Sequence, residues 1–322
     1  MDPLTSWAFD LIRAFQSLGA WLTPPMLFFT ALGTEEFFLL ALPLVFWCIN
    51  RQLGIALSVL LLTSAGVNEW VKGLFKLPRP FWLEPQVALS TENSFGLPSG
   101  HAQHAFTLWG YLAVILRRPW RWLPVILLIL IALSRLYLGV HFPWDTLVGW
   151  LLGLLVLGGF LRLQPRVTPT LQSWPLRAHI AAAFIAATVV VLLYLLAAAI
   201  PTGDPGRYGV LFSIALASTY DAAGTVAGMI LGIWIGFAVE ERFVRFNPAG
   251  TLWQRGLRLV IGLIVLLVLR FGLKAIFPAE PLAINLAFRA LRYALMMLWV
   301  AAGWPWLFVR LGLAKTCQVS ET

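Results

Sequence analysis

The feature that most constrains this chain is a run of apolar segments, each about as long as a bilayer is thick. Nine of them run approximately over 26–49, 52–74, 101–117, 122–139, 144–162, 178–200, 221–239, 257–276 and 286–309. A membrane-spanning helix needs roughly 20 mainly apolar residues. Of the 322 residues, 60% are hydrophobic and 11% charged, and the mean hydropathy is +0.84. A soluble domain carries about a quarter charged residues, so a soluble enzyme, a disordered chain and a coiled coil are excluded. The expected fold is all-α, a polytopic transmembrane helical bundle of about nine spans.

Before the first span, Trp7, Leu11, Phe15 and Leu18 recur at helical spacing, with Asp10, Arg13 and Gln16 on another face. This predicts an amphipathic helix over the first 22 residues that lies in the membrane interface and is closed by Pro24 and Pro25. The stretch 207–220 is a further amphipathic piece, either interfacial or re-entrant. The sequence thus divides into an interfacial helix (1–25), a helical bundle holding most of the polar motifs (26–165) and additional C-terminal transmembrane helices (166–322).

The net charge of +9 could suggest nucleic acid, but Lys and Arg are scattered through short connections. No basic run with interleaved aromatics occurs, so nucleic acid is not an expected partner and anionic head groups are. Cys48 and Cys317 allow neither a disulfide framework nor a thiolate metal site. No cleavable signal peptide is visible at the N-terminus. Alternate connections hold thirteen of the 23 basic residues: Arg51, Arg117, Arg118, Arg121, Arg162, Arg166, Arg177, Arg242, Arg245, Arg255, Arg258, Arg310 and Lys315. The positive-inside rule puts that set and the C-terminus in the cytoplasm. The connections 75–100 and 140–143 then fall on the extracytoplasmic side.

Polar groups in or beside spans are costly, and they mark functional sites. Here they form three clusters. The first, Lys72 to Pro80, sets Lys72 and Arg79 seven residues apart, about two helical turns, although Pro78 and Pro80 favour an early helix end. The second is Pro98-Ser99-Gly100-His101 at a helix entrance, where backbone N–H groups and a hydroxyl suit an anion. The third is Ser134-Arg135, then His141 and Asp145. A carboxylate four residues after a histidine, in the first turn of a helix, can accept the Nδ1–H and leave Nε2 with its lone pair. All three clusters fall on one membrane side. Three fixed cations, two histidines and an orienting carboxylate suit a phosphoryl group: cations and amides bind its oxygens, one histidine attacks and the other protonates the leaving oxygen. No carboxylates or histidines have metal-ligand spacing, so charge neutralisation falls to Lys and Arg, and no metal or cofactor is expected.

Lysine, six residues, Arg-Pro; then Pro-Ser-Gly-His; then Ser-Arg, five residues, His, three residues, Asp: this spacing resembles the three-part signature of the type-2 phosphatidic acid phosphatase superfamily. The resemblance covers roughly residues 30–163. It implies a phosphatase core in which His141 is the nucleophile of a phosphohistidine intermediate, Asp145 orients it and His101 is the general acid. Lys72, Arg79, Ser99, Gly100 and Arg135 would hold the phosphoryl oxygens. His104 and Lys76 lie outside the signature and read as structural. The implied substrate is a phospholipid, polyprenyl or sphingoid phosphate, cleaved as a phosphomonoester or pyrophosphate at the outer face. Transfer of the phosphoryl group to another alcohol uses the same intermediate and stays open, as does a lipid transporter or scramblase with basic residues at its mouth. The C-terminal third carries no polar cluster of this kind, which assigns it packing, the shaping of a lipid entrance, or a homodimer interface.

Overall fold

The computed structural model describes residues 2–278 and 280–317. The extreme C-terminus, expected on the cytoplasmic side, lies outside them. Among the described residues the protein is helical throughout, with one isolated antiparallel bridge between Phe246 and Thr316. Seven helices are long and apolar enough to cross a membrane, or eight when residues 20–31 and 36–49, bent by 51°, count as one span. The chain is an all-α, multi-span membrane protein, with fewer full-length spans than the nine expected. The expected segment 26–49 is the bent pair, and 101–117 is a helix of only 16 residues, Gly100–Ile115.

Helix α1 (Pro3–Gln16) begins as the sequence demands. Asp2 caps it by accepting from the Thr5 amide, and Pro3 sits where a missing N–H is harmless. Its buried face is Ala8, Phe9 and Ile12, whereas Trp7 and Leu18, expected on the apolar stripe, are more than half exposed. The helix stops before Gly19 (φ +116°), and Pro24 and Pro25 start α2 (Thr23–Ala31) instead of closing α1. Proline tolerates the first turn of a helix better than its end. The expected amphipathic piece 207–220 is not separate either. It is continuous with the following span in one helix, Pro205–Phe243, broken only at Gly209.

Packing groups the residues into two units. The first is Met1–Phe38, Thr63–Leu163 and Leu193–Tyr220; the second is Leu39–Leu62, Gln164–Leu192 and Asp221–Thr322. Within the first unit, α3 (Glu35–Leu44) contributes its opening turn and α4 (Arg51–Phe75) its later part. On α4, Ser64, Asn68 and Lys72 repeat every four residues, so they share one face, and all are buried. That face meets α6 (Gly100–Ile115), after the short α5 (Pro80–Leu83). Asn68 donates to the Gln103 side chain (2.8 Å), Gln103 donates to the Ser64 carbonyl (2.9 Å), and the Ser64 hydroxyl meets His104 Nδ1 (2.9 Å).

Two later helices complete the surroundings of the polar clusters, α7 (Trp122–Tyr137) and α8 (Pro143–Ser173). Glycines let α8 lie close to α6. A Cβ at Gly149 would stand 2.7 Å from the Ser99 carbonyl, and one at Gly153 2.8 Å from the Gln103 carbonyl. Small residues at a helix contact allow this backbone approach, which dispersion then stabilises.

In the second unit, Trp47, Phe46, Phe246, Trp304 and Phe308 form an aromatic core. Two of its arginines are answered locally. Arg51 bonds Glu240 and Glu241, and Arg258 donates to the Trp47 carbonyl (2.8 Å) and the Ala249 carbonyl (3.1 Å).

Candidate active site

The site is assembled where helices of the first unit end. Helix α4 stops at Phe75, Lys76 takes a positive φ of 47°, and Arg79 becomes the residue before α5. Lys72 and Arg79 therefore do not share a continuous helix face. They converge through a residue that sequence reasoning missed. Ser94 Oγ receives bonds from Lys72 Nζ (3.1 Å) and Arg79 Nη2 (2.9 Å), and the Ser94 carbonyl accepts from Arg79 Nε at 2.6 Å.

Helix α7 ends in a turn that only glycine fits. Gly139 has φ +68°, and a Cβ there would lie 2.0 Å from the Val87 carbonyl oxygen. Leu138 and Gly139 donate back to Ser134 and Leu136, satisfying the last carbonyls of the helix. The reversal leaves Arg135 in the last turn of α7 and His141 just beyond it. Phe142 then opens α8, and its amide donates to Asp145 Oδ2 (2.9 Å). Asp145 so sits in the first turn of α8, where the helix dipole favours a carboxylate.

His141 is held from both sides. Its Nε2 lies 3.0 Å from Arg79 Nη1 and its Nδ1 lies 3.3 Å from Asp145 Oδ2. A guanidinium only donates, so Nε2 is the acceptor, and the ring proton resides on Nδ1 and is offered to Asp145. This is the tautomer that the sequence spacing suggested. Burial pushes the His141 pKa well below its ordinary value, and Arg79, Arg135, Lys72 and His101 push it the same way. The ring is therefore neutral at neutral pH, with an Nε2 lone pair among cations.

The second cluster arrives from α6. Ser99 is its buried N-cap, with the hydroxyl accepting from the Ala102 amide at 3.5 Å, and its own amide donates to the Asp145 carbonyl at 2.9 Å. That backbone bond ties the second cluster to the third. Gly100 is the first residue of α6, with Asn68 Oδ1 only 3.1 Å from where a Cβ would be. His101 packs beside Gly33 and lies within electrostatic reach of Arg135, Glu92 and Lys72. Arg135 bonds Glu92 and Thr30 Oγ1, and Lys72 bonds Glu69 at 2.6 Å.

All eight residues singled out from the sequence thus belong to one neighbourhood within the first unit. Four partners, Glu69, Glu92, Ser94 and Thr30, were not foreseen. Glu92 left only a faint trace in the sequence: with Glu84 it is one of two acidic residues in the connection 75–100. Lys76 and His104 have other engagements. Lys76 Nζ donates to the Ala197 carbonyl (3.0 Å) and the Ile200 carbonyl, near the end of the helix Leu176–Ala199, and His104 joins the Ser64 network.

This arrangement can bind a dianion with three cations, a hydroxyl and a helix N-terminus, and it presents an oriented imidazole lone pair beside them. The chain is 33% identical over 135 residues to a probable sphingosine-1-phosphate phosphatase of Dictyostelium discoideum, covering 37% of this chain and 32% of that protein. It is 35% identical over 108 residues to an undecaprenyl-diphosphatase of Sulfolobus acidocaldarius, covering 32% and 52%. With sphingosine-1-phosphate phosphatase 2 of Mus musculus it shares 28% identity over 219 residues, covering 65% and 57%. The chain spans about a third to just over half the length of these relatives. The family model described as PAP2 superfamily matches residues 53–169, which contain every signature residue, and the model described as PAP2 superfamily phosphatase, transmembrane extension, matches 224–316. The chain belongs to the PAP2 superfamily, the type-2 phosphatidic acid phosphatases.

Proposed function

We propose that the protein is an integral-membrane lipid phosphate phosphatase that hydrolyses a lipid phosphomonoester or pyrophosphate through a phosphohistidine on His141. The observation that carries this reading is the chain of bonds Lys72–Ser94–Arg79–His141–Asp145, which gathers cations, nucleophile and orienting carboxylate.

In the first step the phosphoryl oxygens lie on Lys72, Arg79 and Arg135, with the Ser99 hydroxyl and the Gly100 amide. Arg79 Nη1 passes from His141 Nε2 to a phosphoryl oxygen, the freed lone pair attacks phosphorus as the P–O bond to the lipid breaks, and the leaving oxygen takes its proton from His101. In the second, water attacks the phosphohistidine, His101 takes the water proton, and release of phosphate restores the lone pair. Asp145 holds the Nδ1 proton throughout and stabilises the charge that develops on the ring. Positioning and charge stabilisation by fixed donors supply most of the acceleration.

Charge asymmetry along the sequence supports an extracytoplasmic site. The names of the relatives favour sphingoid-base phosphates and polyprenyl diphosphates as substrates, and the apolar helices suit amphipathic lipids. The test is phosphate release by detergent-purified protein from a panel of both lipid classes, with a chelator present. The reading expects multiple turnovers with chelator, since Lys and Arg neutralise the phosphoryl charge. Activity strictly dependent on added divalent metal would contradict it, as would label passing to an alcohol acceptor without free phosphate.

A further inference from the structure

Glu92 and Ser94 lie in the connection between α5 and α6, two residues apart, and between them they engage all three cations of the site. The Glu92 carboxylate bonds Arg135, while the Ser94 hydroxyl accepts from Lys72 and Arg79. The connection is pinned on either side of them, by Leu89 N–H to the Leu138 carbonyl (3.1 Å) and Gly96 N–H to the Leu77 carbonyl (2.8 Å). Thr91 and Asn93 are exposed, whereas Glu92 turns inward and its side chain keeps 29% of its exposure. Its oxygens therefore sit on a cation to which the proposed function assigns a phosphoryl oxygen.

We propose that Glu92 is a specificity-determining residue: an internal carboxylate on Arg135 that an incoming phosphate must displace, so that the site accepts doubly charged phosphate ends and turns away singly charged phosphodiesters. The inference rests on the proposed phosphate site. A phosphodiester head group carries one negative charge and two free oxygens, as a carboxylate does, and gains nothing by replacing one that is already tethered. A phosphomonoester carries up to two charges and three free oxygens, and it can also take the bonds that Ser94 receives. Bulk anionic membrane lipids are phosphodiesters at far higher concentration than any phosphorylated intermediate, so a bare cationic pocket facing lipid would be occupied by them. Glu92 stays charged across the working range. Burial pushes its carboxyl up, but Arg135, Arg79, His101 and Lys72 outweigh that and hold it at about 2.

The experiment uses the full chain in mixed micelles with a lipid phosphomonoester substrate. Inhibition by inorganic phosphate and by phosphatidylglycerol, a singly charged phosphodiester, is measured for wild type, Glu92→Gln and Glu92→Asp. In Glu92→Gln the inhibition constant for inorganic phosphate falls about tenfold, and phosphatidylglycerol becomes an inhibitor at mole fractions that leave wild type unaffected. Glu92→Asp, whose shorter side chain withdraws the charge from Arg135, falls between and serves if the Gln variant does not fold. An unchanged or raised phosphate constant in both variants, with wild type inhibited by phosphate and inactivated by His141→Ala, overturns the role of Glu92 alone. Failure of phosphate to inhibit wild type, with His141→Ala still active, overturns the site and this inference together.

Discussion

Both units bury arginine, and they use it differently. In the second unit Arg258 is fully buried, and its guanidinium ends on the Trp47 and Ala249 carbonyls, while Arg51 ends on Glu240 and Glu241. Around Arg258 lie the aromatic core of Trp47, Trp304 and Phe308, with Cys48 and Arg255 nearby. In the first unit Arg79 and Arg135 are as deeply buried, but they meet Lys72, His141 and one another's field in a single place. Their partners there include a hydroxyl and a loop carboxylate, groups that phosphate oxygens can replace. Burial of a charge in a membrane protein therefore does not by itself mark a site. Convergence of several charges on exchangeable partners does.

Replacing one arginine in each unit breaks or sharpens that contrast most strongly. Arg79→Ala removes a phosphate ligand and the donor to His141 Nε2, and kcat/KM of the folded fraction falls by about a thousandfold; it also orphans the Ser94 and Val140 carbonyls, so stability falls by about 1–3 kcal/mol. Arg258→Ala orphans buried carbonyls and lowers stability by roughly 3 kcal/mol, while the folded fraction keeps near wild-type kcat/KM. Steady-state kinetics and thermal unfolding in the same detergent read both. Equal losses of activity in the two variants would erase the distinction.

Gly139→Ala tests the turn that presents His141. The added Cβ would stand 2.0 Å from a backbone carbonyl in a positive-φ conformation, so stability falls by about 2–3 kcal/mol. Activity also drops, because the shift is passed to His141 two residues on. Unchanged melting and kinetics would mean that the turn is not so constrained.

The smallest expected effect is on pH dependence. Burial, reinforced by the neighbouring cations, holds the His141 pKa well below its ordinary value, and protonation removes the Nε2 lone pair. The acid limb of the kcat/KM profile therefore lies well below pH 6.5. Removing a nearby positive charge raises that pKa, so in Arg79→Ala the limb moves toward neutral pH. Movement in the acid direction would contradict the assignment.

How much of this was legible in the sequence follows from what each signal encodes. The i,i+4 spacing of His141 and Asp145 states a local geometry, and the Nδ1–Oδ2 contact between them matches it. The seven-residue spacing of Lys72 and Arg79 also suggested a common face, but the helix ends between them. Their meeting at Ser94 is a long-range event that no periodicity records. On α1 the apolar recurrence did not tell which side packs inward: Trp7 and Leu18 are more than half exposed, while Ala8, Phe9 and Ile12 are buried. For an apolar side chain in a membrane protein, the lipid interface is as good a destination as the interior. An apolar run of the right length reads alike whether it is straight or, as over 26–49, bent, so the number of full spans is not legible from hydropathy.

The central claim is that the phosphoryl group passes through Nε2 of His141. Single-turnover labelling with a 32P-phosphorylated lipid, followed by alkaline quench and peptide mapping, tests it directly. Acid-labile, alkali-stable label is expected on the peptide containing residue 141 and none in His141→Ala. Label on another residue, or undiminished turnover in His141→Ala, would contradict it.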